Sequence, residues 1–227
     1  MVVDLYDNEY IGKIMSNRVA IVGGGGFAKE VIAIFELNEF RITGIFASES
    51  IVQDYPHVSD SEKNLHNFRD TFDSVFLSIG VANSRDIKKR RKVMQFLIDE
   101  GFKSFPLISK TAIVSKGSTI GCGTFVAHSA VISVDAEIGD YTVVNTSVIV
   151  GHDTIIGNNV TISPSVFIGG NVKIGDDVLL GSGCIIMQGV SIGPGSVIGM
   201  GSVVTKNIVE SGVYAGNPAK KIKEING

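Results

Sequence analysis

Residues 138–168, IGDYTVVNTSVIVGHDTIIGNNVTISPSVFI, repeat an aliphatic residue at every sixth position. The same phase runs without interruption from Val114 to Val204, where all sixteen positions are Ile, Val or Leu. Four residues after each of them stands a small or β-branched residue, such as Ala136 or Thr154. A strict six-residue period is typical of a parallel β-helix, in which each hexapeptide forms one short strand and one turn. The fifteen hexapeptides predict five coils of eighteen residues each.

Stacked coils bury the aliphatic side chains as one continuous column, because a single hexapeptide is too small to bury them alone. A glycine often follows the aliphatic residue, as at Gly121, Gly139 and Gly157. We expect a positive φ there, since glycine adopts it without steric cost. A prism filled with aliphatic side chains has no interior pocket. Any chemistry must therefore use the outer faces, the turns or the grooves between subunits.

The composition limits the partners and the compartment. A formal net charge of −3 argues against a nucleic-acid or anionic-membrane partner. No apolar run approaches the ~18 residues that span a bilayer. Cys122 and Cys184 lack the spacing of metal ligands, so no metal is predicted, and a reduced, cytoplasmic protein is the simplest interpretation. Residues 1–17 begin acidic and lack the apolar core of a signal peptide, and we interpret them as an N-terminal extension.

Residues 18–108 have a different pattern, in which short apolar runs alternate with helical segments. Such alternation predicts a small parallel sheet of the Rossmann kind, covered by helices. The predicted strands are Arg18–Val22, Arg41–Phe46, Ser74–Ile79 and Ser104–Leu107, and the predicted helices are Lys29–Leu37 and Ser84–Glu100.

A glycine run, Gly23–Ala28, separates the first predicted strand from the first predicted helix. It fits the G-x-G-x-x-A fingerprint, whose backbone N–H groups bind phosphate at a helix start. NAD is disfavoured because the second strand ends in Phe46-Ala47-Ser48 without the expected acid. The phosphate of another nucleotide and a purely structural turn stay open. Asn83 and Arg85 either add an amide and a cation to the same cleft or form a solvated helix start.

Two histidines, His128 and His152, fall at the third position of a hexapeptide, on turns that project outward. They are twenty-four residues apart, one coil plus one side, and therefore lie on different edges of the prism. Asp153 would orient the imidazole of His152 as a general base and raise its basicity. One coil later stands Gly170, whose backbone N–H could stabilise an oxyanion. A solvent-exposed turn residue is the alternative for His152 and the preferred interpretation of His128.

The hexapeptide repeat, the His152-Asp153 turn and three further stretches together resemble the left-handed β-helix acyltransferases. Within that family they are most similar to the enzymes that N-acetylate nucleotide-linked 4-amino sugars, together with sialic acid O-acetyltransferases. These stretches are the glycine loop Ile21–Glu30, the segment Ser78-Ile79-Gly80 with Asn83 and Arg85, and the tail Gly216-Asn217-Pro218-Ala219-Lys220.

The resemblance covers about residues 18–222 and implies the domain organisation. A Rossmann-like α/β domain at 18–108 precedes a left-handed parallel β-helix at 109–212 and a C-terminal tail at 213–227. The family also implies a homotrimer, in which acetyl-CoA lies in the groove between neighbouring prisms.

The same resemblance implies roles for individual residues. His152 matches the catalytic base and Asp153 the acid that supports it. Coenzyme contacts are implied for Thr161, Gly170, Ser182 and Met200. Contacts with the nucleotide-sugar are implied for Gly25, Gly26, Phe27, Ala28, Lys29, Ser48, Gly80, Asn83 and Arg85. In three places the chain departs from the family: Thr161 stands where some members have a second histidine, Phe27 replaces a histidine, and Ala47-Ser48 replaces an acidic pair expected to hold the nucleotide.

The leading hypothesis is acetyl transfer from acetyl-CoA to the amine of a nucleotide-linked 4-amino-4,6-dideoxyhexose, a step in making surface polysaccharide or glycan precursors such as O-antigen. O-acetylation of sialic acid or a related sugar is the alternative within the enzymes. A non-catalytic trimer is a third possibility, but a structural prism has no need of His152-Asp153 beside Gly169-Gly170. The phosphate-type loop favours the nucleotide-linked substrate over free sialic acid.

Overall fold

The computed structural model describes residues 18–58 and 62–225, which form an α/β domain followed by a parallel β-helix. This confirms the predicted fold class. The extension predicted at residues 1–17 lies outside the described residues.

The α/β domain is a four-stranded parallel sheet with one α-helix on each face. Its strands are β1 (Arg18–Val22), β2 (Arg41–Phe46), β3 (His57–Val58) and β4 (Ser74–Leu77), in the order β3-β2-β1-β4. Its helices are α1 (Gly26–Leu37), a 3₁₀ helix (Glu62–Thr71) and α2 (Ser84–Asp99). Val19 and Ile21 pack against α1, whereas Ala20 and Val22 pack on the side of α2, as the alternation of side chains along a strand requires.

The segment expected to be the last strand of this sheet belongs to the β-helix instead. Leu107–Ile108 forms β5, which pairs in parallel with Phe125–Val126. Two hydrogen bonds still link the preceding residues to Val75 of β4: the Lys103 carbonyl accepts from its N–H at 2.8 Å, and the Ser104 hydroxyl donates to its carbonyl at 2.9 Å. The prediction of an N-terminal-domain strand at Ser104–Leu107 was therefore wrong. The solenoid begins one hexapeptide earlier than predicted and has nearly six coils rather than five.

Three faces of stacked two-residue strands form the β-helix, and every pairing is parallel. The first face contains β5 (Leu107–Ile108), β8 (Phe125–Val126), β11 (Val143–Val144), β14 (Thr161–Ile162), β17 (Leu179–Leu180) and β20 (Val197–Ile198). The second face contains β6 (Ile113–Val114), β9 (Val131–Ile132), β12 (Ile149–Val150), β15 (Phe167–Ile168), β18 (Ile185–Ile186) and β21 (Val203–Val204). The third face contains β7 (Thr119–Ile120), β10 (Glu137–Ile138), β13 (Ile155–Ile156), β16 (Lys173–Ile174) and β19 (Ser191–Ile192). A final antiparallel pair, β22 (Val213–Ala215) and β23 (Lys220–Lys223), extends the first face.

The aliphatic residue of each hexapeptide points into the prism, as the period predicts. From Ile120 to Val204 these residues form one buried cluster with the small residues between them, including Val148, Val166 and Cys184. Burying each aliphatic side chain is worth ~1.5–3 kcal/mol. Most of that gain offsets the entropy of ordering the backbone.

The glycines that follow the aliphatic residues serve close stacking, not a positive φ, so that expectation was wrong. A Cβ on Gly139 would lie 2.6 Å from the carbonyl carbon of Gly157 in the next coil. The positive φ occurs two residues later, at every sixth residue from Gly117 to Gly201. Asp, Asn and Ser fill most of these turn positions because their short polar side chains tolerate the left-handed conformation.

The α/β domain packs on the first face of the β-helix. Phe27 at the start of α1 meets Phe125 edge to face, with ring centroids 5.1 Å apart. Arg90 of α2 is fully buried and donates hydrogen bonds to the Tyr141 carbonyl, at 2.6 Å, and to Asn159 Oδ1, at 2.5 Å. These contacts hold the sheet edge that carries the glycine loop against the outer wall of the prism.

Candidate active site

The carboxyl ends of β1, β2 and β4 open into a cleft of about 670 Å³. Ligands of open parallel sheets bind at this edge, because the loops after neighbouring strands meet there. The cleft is lined by the glycine loop (residues 22–27), the end of β2 (residues 46–49), the segment Ser78–Gly80, and Lys89, Lys92 and Val93 of α2.

The glycines of the loop serve two different purposes. A Cβ on Gly24 would lie 2.7 Å from the Glu49 carbonyl oxygen, so this glycine is required by the protein itself. Cβ atoms on Gly25 and Gly26 would meet nothing within 4 Å. Gly25 is also the N-cap of α1 and supplies no side-chain hydrogen bond to the helix start. The first turn of α1 therefore presents bare backbone N–H groups, which are suited to an anion.

Five of the predicted substrate residues line this cleft: Gly25, Gly26, Phe27, Ser48 and Gly80. The other four do not appear in its wall.

Each of those four has another position. Ala28 is fully buried in the core beneath α1, and the next residue, Lys29, is exposed. Asn83 is the N-cap of α2, where its side chain accepts hydrogen bonds from the backbone of Arg85 and Asp86. Arg85 is exposed on the first turn of α2. Asn83 thus has a structural task that accounts for its presence.

A smaller chamber of about 150 Å³ adjoins the cleft and shares Phe27, Ile79 and Gly80 with it. Its remaining wall is the first face of the β-helix together with α1, and includes Glu30, Val81, Val143, Asn145, Thr161 and Ser163. The Thr161 side chain is buried and its hydroxyl has no hydrogen-bond partner among the described residues. A buried hydroxyl without a partner is costly, which suits it to a ligand that enters this chamber. The coenzyme contact expected for Thr161 stays a prediction, and within one chain the residue lies beside the cleft.

His152 and Asp153 form a hydrogen-bonded pair on the turn between the second and third faces. The distance between His152 Nδ1 and Asp153 Oδ2 is 2.6 Å, and about half of each side chain is exposed. Asp153 occupies the positive-φ position of its turn, at φ 56°. With Nδ1 engaged by the carboxylate, Nε2 is left to exchange a proton with a ligand.

Gly170 lies one coil beyond His152 on the same edge of the prism. A Cβ on Gly170 would lie 2.5 Å from Nε2 of His152 and within 3 Å of two further ring atoms. The imidazole therefore packs directly over bare backbone. Among the described residues the Gly170 N–H has no intramolecular acceptor. The two residues that the sequence predicted to act together are in contact.

The predicted site residues fall in three separate places within one chain. The His152–Gly170 group is on the edge between the second and third faces, and Thr161 is on the first face beside the cleft. Ser182 and Met200 lie one coil apart on the edge between the first and second faces, and both are exposed. A single copy does not bring these groups together.

The other histidines have structural partners. His128 Nδ1 lies 2.7 Å from the Ser109 hydroxyl, which agrees with its interpretation as a turn residue. His57 Nε2 contacts the Ala47 carbonyl at 2.8 Å, and His66 pairs with Glu100 at 3.0 Å.

Lys89 and Lys92 are the cleft residues that sequence reasoning missed. They fall within a run of five basic residues, 88–92, and such a run usually indicates a solvent-exposed charged face of a helix. Their spacing of three residues was the available signal, because it puts both on one side of a helix.

No helix within residues 18–58 and 62–225 is long and apolar enough to cross a membrane. In the same ranges no group of three or more His, Cys, Asp or Glu side chains is arranged to hold a metal ion.

A phosphate-type glycine loop mounted on a parallel β-helix, with a histidine–aspartate pair at one turn, is the architecture of a hexapeptide-repeat transferase. Family models match both parts of the chain. Residues 18–97 match the PglD N-terminal domain, residues 135–170 the bacterial transferase hexapeptide and residues 171–206 the hexapeptide repeat of succinyl-transferase. A sequence comparison with curated proteins gives no significant match.

Similar solved structures indicate which kind of hexapeptide-repeat transferase this chain resembles. PerB from Caulobacter crescentus, in complex with CoA and GDP-perosamine, is 31% identical, with a TM-score of 0.84 over 90% of this chain and 96% of that chain. The acetyltransferase domain of PglB from Neisseria gonorrhoeae is 28% identical, with a TM-score of 0.81 over 91% of this chain and all of that chain. WeeI from Acinetobacter baumannii is 25% identical, with a TM-score of 0.77 over 90% and 99%. The chain belongs to the hexapeptide-repeat family of acetyl-CoA-dependent sugar N-acetyltransferases.

Proposed function

We propose that this protein transfers the acetyl group of acetyl-CoA to the 4-amino group of a nucleotide-linked 4-amino-4,6-dideoxyhexose. His152 acts as the general base. The observation that carries the proposal is the His152–Asp153 pair packed on bare Gly170, in a chain 31% identical to an enzyme solved with CoA and GDP-perosamine.

The proton path follows from the hydrogen bonding of His152. The sugar amine attacks the thioester carbonyl, and Nε2 takes the proton that the nitrogen must lose. Asp153 accepts a hydrogen bond from Nδ1–H, so it selects the tautomer with a free Nε2 and stabilises the imidazolium that forms. The C–S bond then breaks, and the CoA thiolate leaves with a proton from the imidazolium.

Gly170 stabilises the charge that forms on the substrate opposite this base. The tetrahedral intermediate carries negative charge on the former carbonyl oxygen. A backbone N–H without an intramolecular acceptor, next to the imidazole, is suited to donate to that oxygen. Any larger residue at 170 would displace the ring.

The cleft and the chamber suit the two halves of a nucleotide-sugar. The diphosphate binds at the glycine loop, where Gly25 and Gly26 leave room for it. The sugar then extends past Phe27 and Gly80 into the chamber, where the Thr161 hydroxyl, Asn145 and Glu30 offer polar contacts.

Three copies of the chain complete the site. The outward residues of the second face are all apolar and include Ile113 (61% exposed), Ile149 (42%), Phe167 (45%) and Ile185 (44%). Those of the third face are mostly polar: Thr119, Glu137, Ile155, Lys173 and Ser191. An apolar stripe of this length is an interaction surface. If a second copy covers it, His152 of one subunit approaches the cleft of its neighbour, and acetyl-CoA lies between them against Ser182 and Met200.

The experiment is an assay of thiol release from acetyl-CoA with UDP-, GDP- and dTDP-linked 4-amino sugars, and with free sialic acid as the comparison. We expect turnover with one nucleotide-linked amine and a product heavier by one acetyl group that resists mild alkaline hydrolysis, as an amide does. An alkali-labile product would indicate an ester and support O-acetylation. Thiol release that no amino sugar stimulates would overturn the proposal.

A further inference from the structure

The five consecutive basic residues at 88–92 of α2 point in different directions. Arg90 is fully buried against Tyr141 and Asn159, and Arg91 forms an ion pair with Asp177. Two of the five cations are therefore used to hold α2 against the β-helix.

Two others, Lys89 and Lys92, lie in the wall of the cleft. Among the described residues neither makes an ion pair or a hydrogen bond to a side chain, although both are exposed on a helix that also carries Asp86. Like charges three residues apart on a helix repel each other. The pair is therefore an unneutralised positive charge that the two anchored arginines keep on the cleft side.

The cleft has a second source of positive potential. The N-terminus of α1 opens into it at Gly25–Phe27. Because α1 and α2 pack on opposite faces of the sheet, the helix N-terminus and the lysines approach the cleft from its two sides. Glu49 is the one carboxylate among the described residues of the wall. This distribution suits an anion with more than one charge, held between two positive walls.

We propose that Lys89 and Lys92 bind the diphosphate of the nucleotide-sugar from the α2 wall, while the glycine loop binds it from the α1 wall. This inference rests on the proposed function and names the groups that recognise the charged part of its substrate. Two flexible ammonium groups bind phosphate as point charges and do not read the base or the sugar. The pair accordingly contributes affinity for any nucleoside diphosphate, and selectivity among sugars comes from elsewhere in the site.

The test measures the Kd of the full chain for UDP, GDP and dTDP by calorimetry, together with the Kd of the matching nucleosides. Lys89→Gln and Lys92→Gln should each weaken diphosphate binding about three- to fivefold, and the double variant about tenfold or more. The loss should shrink as the salt concentration rises. Nucleoside binding should not change.

Lys88→Gln is the matched control, because Lys88 is on the same helix but lines a different groove with Pro194 and Gly195. It should bind every diphosphate within twofold of the wild type. The double variant Lys89→Arg/Lys92→Arg keeps both positive charges and should retain most of the affinity. It therefore distinguishes the loss of charge from a disturbance of the fold. If the double glutamine variant with an unchanged melting temperature binds all three diphosphates within twofold of the wild type, the inference is wrong. Lysine-dependent diphosphate binding without acetylation of any amino sugar would instead overturn the proposed function alone.

Discussion

The imidazole of His152 occupies the space that any side chain on Gly170 would need. The two residues are eighteen positions apart in sequence and adjacent on one edge of the prism, where a Cβ on Gly170 would lie 2.5 Å from Nε2. The backbone of one coil thus sets the position of the base on the previous coil.

Gly170→Ala should therefore reduce kcat by moving the ring, without unfolding the β-helix. We expect a loss of about tenfold or more, since displacing a catalytic group by about 1 Å can cost on the order of a hundredfold. Steady-state kinetics together with a thermal melt would measure it. Gly183→Ala is not a suitable control, because Gly183 has φ +65° and is strained by any side chain. A Gly170→Ala enzyme with wild-type kcat would contradict the close packing.

His152→Ala should lower kcat by about 10²–10⁴-fold, the usual contribution of a positioned base. Asp153→Asn should cost less, because asparagine keeps the positive-φ turn conformation and removes only the charge that supports the ring. The wild-type rate should rise with pH, because a general base acts in its deprotonated form, and this rise should vanish in His152→Ala. His128→Ala is the control and should leave kcat nearly unchanged. Near-wild-type turnover of His152→Ala across pH would exclude the proposed base.

Gly25→Val and Gly24→Val should have opposite consequences. The Gly25 side chain would enter the cleft, so the KM for the nucleotide-sugar should rise strongly while the melting temperature and the KM for acetyl-CoA stay close to wild type. The Gly24 side chain would collide with the Glu49 carbonyl, and such overpacking destabilises a protein by about 1–3 kcal/mol. Measuring KM by steady-state kinetics and the melting temperature by calorimetry for both variants distinguishes the substrate-binding role of Gly25 from the structural role of Gly24. A loss of stability in Gly25→Val as large as that in Gly24→Val would mean that the cleft is not open at Gly25, since replacing the glycine N-cap accounts for only a smaller loss.

Phe167→Asp should break the proposed trimer, because it puts a charge in the middle of the apolar second face. Ile155→Asp is its matched control: Ile155 is 43% exposed, close to the 45% of Phe167, but it lies on the polar third face. Light scattering after size exclusion should give a monomer for the first variant and the wild-type mass for the second. A wild-type chain that is monomeric and fully active would contradict the composite site.

Cys184 should be inert in the folded protein. Its thiol is buried in the prism, and this burial raises its pKa to about 12, so almost no thiolate forms at pH 8. Peptide mapping after treatment with a thiol reagent should find Cys184 unlabelled in native buffer and labelled in guanidinium chloride. Labelling at a similar rate in both conditions would show that the coils open locally.

The sequence predicted the β-helix because its period is local and redundant: each hexapeptide repeats the same pattern of Val, Ile and small residues. It also predicted the contact of His152 with Gly170, since residues eighteen apart must stack. The first strand of the β-helix was not predicted, although the sequence contains the pattern: Ile108 is six residues before Val114, and Ala112 stands four residues after Ile108. The prediction assigned Leu107 to the last strand of the sheet and made Ile108 the last residue of the α/β domain.

Other features depend on packing between distant segments, which no local pattern contains. Gly24 and Gly25 are adjacent glycines that the sequence does not distinguish. Only the position of Glu49 in the fold shows that Gly24 has no room for a side chain and that Gly25 faces open space. The basic run at 88–92 gives no indication that Arg90 alone is buried, because its partners Tyr141 and Asn159 are more than fifty residues away. Thr161 lies beside the cleft because the α/β domain packs on the first face, which its position in the repeat does not indicate.

The anchoring of α2 to the β-helix fixes the level of the base along the axis of the solenoid. Arg90 binds the turns at Tyr141 and Asn159, which are one coil apart, and His152 lies between these two positions in the chain. Because parallel strands are spaced about 4.8 Å apart, each eighteen-residue coil added or lost beyond Gly170 changes the length of the solenoid by that one step and leaves His152 where it is. The far end of the β-helix can therefore lengthen or shorten without altering the level of the base relative to the nucleotide cleft.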